Sequence, residues 1–257
     1  SNSIVDADKF YKAVDGYEDE LAWGAAWLHK ATGQGKYLQT AERNYDGSGW
    51  TQGWGDKNFG TSILLAQERP NNARYQQDAE HWLNNWADGR GGIQYTPGGL
   101  AWIGQWGSAR YAATASFLAG VYSDTVVDPQ GKYAAFAESQ VDYLLGDNPN
   151  NFSYMVGFGK KYAKQPHHRN ATGTADFDTP ANNRHILYGA LVGGPTAPRD
   201  NAYRDIRSDY IANEVALDYN AGLTGSLARL YDQFGGDPLT DSQLNALPGI
   251  SVPTLND

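Results

Sequence analysis

Cysteine is absent from these 257 residues and methionine occurs once. Thiol catalysis, disulfides and any zinc site built on thiolates are therefore excluded, while the compartment stays open. Positive charge is also scarce: 20 Lys and Arg stand against 29 Asp and Glu, for a net charge of -9. The longest basic cluster is Lys160-Lys161, which reads as a solvated loop. Without a basic stripe, a nucleic-acid partner is not expected. No apolar run approaches the roughly 20 residues a membrane span needs. The opening stretch SNSIVDADKF lacks a basic flank followed by an apolar segment, so neither a membrane anchor nor a signal peptide is expected in this chain.

Aromatic residues are plentiful, with 8 Trp, 17 Tyr and 8 Phe, many of them flanked by Gly, Asn or Asp. Aromatic faces pack on the apolar faces of sugar rings, although any single one could equally be a core residue. A hydrophobic content of 40% suffices for one sizeable core.

Helical periodicity dominates. Leu21, Ala25 and Leu28 share a face within Asp19 to Ala31, and Thr32-Gly33 supplies a stop. Similar patterns cover 36–45, 57–67, 73–87, 108–122, 132–145 and 213–234, and no alternating strand series stands out. The stretch 146–204 is far longer than ordinary connections and contains Tyr154, Phe158, His167, His168, Arg169, Phe177 and His185, so an ordered, functional loop is expected. From about Gly236 the composition resembles the start of a linker. Helices in series with long loops between them suggest an all-α toroid of helical hairpins.

The stretch 205–221 concentrates chemistry. Asp205, Asp209, Glu214 and Asp218 stand among Tyr210, Asn213, Tyr219 and Asn220. Such a run suits protonation of a carbohydrate oxygen beside a stacked ring. On position alone Glu214 is a surface carboxylate near a helix start. A helix N-terminus favours the charged form, whereas an acid catalyst must hold its proton, so burial or a second carboxylate would have to intervene.

Several segments carry a family resemblance. Tyr203-x-Asp205, Tyr210, Glu214-x-Ala216 and Asn220-Ala221 resemble the C-terminal signature of family 9 glycoside hydrolases, which are mostly endo-β-1,4-glucanases. The stretch 143–149, running into 153–159 and Pro166-His-His-Arg169, resembles that family's histidine signature. Residues 15–33, Tyr95-Thr-Pro-x-Gly99 and Gln105-Trp-Gly-Ser-x-Arg110 resemble further family segments, so the likeness runs from about Ser1 to Leu239.

The resemblance implies a fold, a substrate and roles. The fold is an (α/α)6 toroid, present in part, with residues 1–239 forming the C-terminal portion of the catalytic domain and 240–257 a linker or tail. The substrate is β-1,4-glucan, cellulose or cello-oligosaccharides, cleaved with inversion, and the enzyme is secreted. Glu214 would be the general acid. Asp205 would be either a direct participant or a group that orients its neighbours, and Asp218 a supporting acceptor. His167 and Arg169 would donate hydrogen bonds to sugar hydroxyls, while Tyr219, Trp106, Arg110, Trp50 and Tyr11 would line the cleft. An adjacent His167-His168 pair lacks the i, i+4 spacing of a helical metal site. A structural calcium is implied near Gly16, Asp19 and Glu20, with Asp56 from the segment Trp54-Gly-Asp-Lys57. Hard oxygen ligands of this kind suit that ion.

The family's base belongs to an Asp-Ala-Gly-Asp motif that this chain does not contain; the nearest string is Asp6-Ala7-Asp8. The chain is therefore expected to lack its water-activating carboxylate and to be inactive alone. It would be held to an N-terminal part of the same enzyme or self-associated through exposed apolar helix faces. The competing readings are a non-catalytic carbohydrate-binding module that keeps the aromatic cleft, and a toroid hydrolase acting on another glycan.

Overall fold

The structure, a computed structural model, describes Tyr11, residues 16–47 and residues 49–250. The Asp6-Ala7-Asp8 string, Asp15 and the last seven residues lie outside the described residues.

Helix α1 (Glu18–Thr32) opens with Glu18, Asp19 and Glu20, whose charges suit the positive end of the backbone dipole. It closes at Gly33, which takes the left-handed conformation (φ 68°) and returns its amide to the His29 carbonyl. Helix α2 (Gly35–Asn44) folds back on it, and small residues make the contact: Ala22, Ala25 and Ala26 against Leu38 and Ala41. This corrects the face read from periodicity. Leu21 and Leu28, grouped with Ala25 above, are 46% and 47% exposed beside Trp27 at 46%. The alanines win the core face because they let the two backbones approach closely.

Helix α3 (Asn58–Glu68) is buried from Asn58 through Ala66, and the enclosed Thr61 and Ser62 hydroxyls donate to the Lys57 and Phe59 carbonyls. It pairs with α4 (Ala73–Asp88), where Phe59 stacks on Trp82 at 4.4 Å and Trp86 is fully enclosed. Asn72 caps α4 by accepting from the Arg74 amide, and Gly89 ends it in the left-handed region. The only strands among the described residues are β1 (Gln94–Tyr95) and β2 (Ala101–Trp102), a short antiparallel pair.

Helix α5 (Ser108–Thr125) is central and packs on both α6 (Lys132–Leu145) and α9 (Leu217–Phe234). Gly222 permits the last contact, since a Cβ there would stand 2.6 Å from the Thr114 backbone. Between α6 and α9 lie two single turns, α7 (Arg169–Thr172) and α8 (Tyr210–Asn213). The long connection is ordered as expected: Tyr154, Val156, Ala163, Leu191 and Val192 are buried in one cluster with Val141, Leu144 and Leu223. The residues read as a linker include a short helix, α10 (Asp241–Asn245), with a Thr240–Gln243 capping box, and the Tyr188 hydroxyl donates to the Pro248 carbonyl beyond it.

A groove of about 450 Å³ opens between α1, α3 and α5, walled by Trp23, Trp27, Ile63, Leu64, Leu118 and Val121. With the exposed Leu21 and Leu28 it forms an apolar face without a partner among the described residues. No helix among the described residues is long and apolar enough to cross a membrane.

Asp128 starts α6 by accepting from the Tyr133 and Ala134 amides and from the Ser123 hydroxyl. Partial burial raises its pKa, but these donors outweigh that and hold it below its ordinary value. A depressed carboxyl stabilises the fold above its unfolded pKa and loses that contribution as pH falls through the folded one. Asp128→Ala should cost about 0.5–2 kcal/mol at pH 7. Urea titrations repeated at acid pH should show the two proteins converging.

Candidate active site

The segment around Glu214 is shaped by a break in helix. Asp209 caps α8 by accepting from the Ala212 amide at 3.3 Å, and the turn ends after Asn213. Glu214 and Ala216 are extended (φ -57°, ψ 143° and φ -154°, ψ 165°), and α9 begins only at Leu217. The helix expected over 213–234 therefore starts later, at Leu217, and an extended linker separates it from the single turn α8. Glu214 bridges to His167 across this linker, with the His167 amide donating to the Asn213 carbonyl at 2.7 Å. Glu214 thus precedes the α9 N-cap, Ala216, by two residues and lies outside the helix.

Two donors reach the Glu214 side chain, and both choose Oε2: the Trp106 indole N–H at 2.5 Å and the Tyr219 hydroxyl at 2.7 Å. Burial, with the Glu214 carboxyl next to it, pushes the Tyr219 pKa far up, so that hydroxyl keeps its proton. Oε1 is the oxygen left to meet a ligand. Behind the pair, Arg110 stacks on the rings of Tyr111 (4.2 Å) and Tyr219 (4.7 Å) and is ion-paired with Asp218 at 2.9 Å.

Glu214 lines a groove of about 470 Å³ with Tyr11, Trp54, Trp106, Arg110, Tyr111 and Tyr219. Trp50 lines a second hollow of about 280 Å³ that shares Trp54, Arg110 and Tyr111 with the first. The rings sit edge to face, Tyr11 on Trp54 and Trp50 on Tyr111, both at 5.3 Å, leaving flat faces open. Such a trough offers ring-stacking surface around one carboxyl.

His167 flanks this groove through a row of rings, Phe177 (4.8 Å) on one side and Tyr210 (5.9 Å) on the other, with Tyr210 in turn 5.4 Å from Trp106. Its Nδ1 meets the Arg207 carbonyl at 2.8 Å. A carbonyl only accepts, so Nδ1 carries the proton and Nε2 of the neutral ring is bare. In that tautomer Nε2 is an acceptor, whereas a ring protonated at both nitrogens would donate there. Arg169 is exposed at the first position of α7 and does not line the Glu214 groove. Asp205 is not among the residues lining that groove and accepts from the Lys164 and Gln165 amides at 2.8–3.1 Å.

Comparison with known proteins supplies the lineage. The model of glycosyl hydrolase family 9 matches residues 1–227. Endoglucanase B of Cellulomonas fimi is 49% identical over 93% of this chain and 24% of its own length, and endoglucanase A of Bacillus pumilus is 46% identical over 91% and 38%. The chain belongs to glycosyl hydrolase family 9. Among solved structures, endoglucanase CelQ from Clostridium thermocellum, complexed with cellobiose and cellotriose, superposes with a TM-score of 0.86 at 43% identity, over 96% of this chain and 43% of that one. An endoglucanase from the termite Nasutitermes takasagoensis gives 0.79 at 40% identity, over 90% and 54%. The all-α hairpins are thus part of the family's toroid, and the chain spans less than two thirds of each of these relatives.

Three groups of this family 9 site escaped the sequence reading as cleft or loop-fixing residues: Trp54, Tyr111 and Arg207. Tyr111 could have been found, because it directly follows Arg110 at the start of a helix. Arg207 meets His167 through its carbonyl, while its buried guanidinium holds Asn183 and the Pro180 carbonyl and lies over Phe177, contacts with partners remote in sequence.

The carboxylates assigned to calcium gather around Lys57, whose amide donates to Asp19 at 2.8 Å. Glu20 Oε2 is buried without a partner, and burial followed by contact with Asp19 raises the Glu20 pKa. Asp56 is raised by burial despite accepting from the Asn58 and Trp50 amides. Among the described residues no three His, Cys, Asp or Glu side chains are grouped to hold a metal by themselves. An orphaned carboxylate oxygen beside a second carboxylate nevertheless fits a hard cation whose shell is completed by backbone oxygens.

Arg110→Lys keeps the charge facing Asp218 but loses the planar stack between two tyrosines. It should destabilise the chain by about 1–2 kcal/mol in urea unfolding.

Proposed function

We propose that this chain carries the acid side of an endo-β-1,4-glucanase site, with Glu214 as general acid. The observation that supports it most is the Glu214 carboxyl held at one oxygen by Trp106 and Tyr219 inside an aromatic groove. The protonated carboxyl would deliver its proton to the departing glycosidic oxygen while Trp106, Trp54, Trp50 and Tyr11 hold sugar rings, and neutral His167 would accept from a sugar hydroxyl. Arg169 would reach the sugar only from its exposed position on α7. The complexes of CelQ with cellobiose and cellotriose support β-1,4-linked glucose as the ligand. Secretion follows from a polymeric substrate.

An inverting site needs a second carboxylate roughly 6.5–9.5 Å away to activate water. The nearby acids are occupied: Asp218 with Arg110, Asp205 with backbone amides, Asp209 as the α8 cap. The base would therefore come from an N-terminal part of the same domain, seated on the apolar groove of α1, α3 and α5. That occupant is favoured because the chain accounts for only 24% to 54% of its relatives' lengths. Alone, the chain would bind glucan without cleaving it.

The decisive comparison uses the purified chain and the chain combined with the family's N-terminal portion. The combination should hydrolyse soluble cellulose, and Glu214→Gln should lower its kcat by roughly 10²–10⁴. Hydrolysis by the chain alone, lost on Glu214→Gln, would refute the missing base.

A calcium ion, if bound, would contribute charge neutralisation and rigidity. Asp19 and Glu20 would hold it with the Gly16 carbonyl, and Asp56 would complete or brace the shell. Calcium should then raise the melting temperature, and Glu20→Gln should remove that response. Equal melting curves in calcium and in chelator would count against the ion.

A further inference from the structure

Asn213 touches neither groove, yet the structure assigns it a positioning role: its buried amide fixes Glu214 and His167 in one rigid unit. The inference rests on the reading of Glu214 as the acid only for its consequence in catalysis; the geometry stands without it.

Asn213 is 0% exposed and all of its hydrogen-bonding capacity is spent. Its Nδ2 protons are shared among the carbonyls of Arg204 (2.8 Å), Ile206 (3.1 Å) and Asp209 (3.2 Å). Its Oδ1 accepts from the Tyr203 hydroxyl at 2.5 Å, its own amide donates to Asp209, and its carbonyl accepts from the His167 amide. One side chain therefore draws the 204–209 turn around itself. That turn leads into α8 through the Asp209 cap, α8 ends at Asn213 itself, the residue before Glu214, and the turn also carries the Arg207 carbonyl that meets His167 Nδ1.

The chemistry admits few replacements. An aspartate of the same shape cannot donate, and it would press lone pairs against three carbonyls in a site closed to water. A leucine would orphan those carbonyls and the Tyr203 hydroxyl together. An amide is the neutral group of this size that gives two protons on one side and accepts on the other.

The test uses the whole chain with ¹⁵N-labelled histidine. In the parent, His167 should show a protonated Nδ1 and a bare Nε2 near neutral pH. Asn213→Asp should release that fixed tautomer and weaken binding of cellotetraose by roughly tenfold or more. Tyr203→Phe removes only the hydroxyl that holds Oδ1, so it should shift the His167 signals in the same direction to a smaller extent, with little loss in melting temperature. A folded Asn213→Asp chain with parental His167 signals and parental binding overturns the inference. Where Asn213→Asp does not fold, unchanged signals in Tyr203→Phe overturn it instead. In the combined enzyme, full activity of Glu214→Gln would sink the catalytic reading while leaving the His167 result standing, so the two failures are distinguishable.

Discussion

The short backbone pairing between the His167 and Glu214 segments is the constraint on which the rest of the site depends. One hydrogen bond, from the His167 amide to the Asn213 carbonyl, joins the end of a long connection to the gap between α8 and α9. Were that gap helical, Glu214 would ride on α9 and face wherever its helical phase put it. Extended instead, it brings one side of the linker to the groove and the other to a hollow lined by Val215, Leu217 and His168. The interruption thus aims a carboxyl at a trough built by other helices. The loss of a few helical hydrogen bonds is offset by the Glu214 amide, which returns to the Tyr210 carbonyl, and by the bridge itself.

Much of the fold was legible because helices announce themselves by period and punctuation. Gly33 and Gly89 stop α1 and α4 where the left-handed conformation is needed, and α6 occupies the range its pattern marks. The α1 face was misread for a physical reason: periodicity weights large apolar residues, whereas the contact with α2 was made by alanines that permit close packing. The break at 214–216 was hidden because Val215 and Leu217 continue an apolar rhythm, and the forces that stretch it come from residues far along the chain. Glu214, Tyr219 and Trp106 were visible through motif likeness. That Trp106 and Tyr219 converge on one carboxyl oxygen was not, because one donor lies 108 residues away. Arg207 meets His167 through its carbonyl, and a main-chain contact of that kind leaves no trace in side-chain patterns.

Aromatic abundance illustrates how far composition reaches and where it stops. Trp27 and Trp106 are equally exposed, at 46% each. Trp106 gives its N–H to a carboxylate and stands near an arginine and two tyrosines, a polar-edged surface that matches a sugar ring with an apolar face and hydroxyl rim. Trp27 stands among Ile63, Leu64, Leu118 and Val121, beside Lys30, Gln67, Glu68 and Thr125, which are hydrogen-bonded among themselves, a surface suited to another helix. The same residue type at the same exposure therefore serves two recognitions, and the neighbours decide which. Both surfaces draw on α5, the first on Leu118, Val121 and Thr125 and the second on Arg110 and Tyr111, so one helix carries an apolar stretch and a polar-edged one in succession.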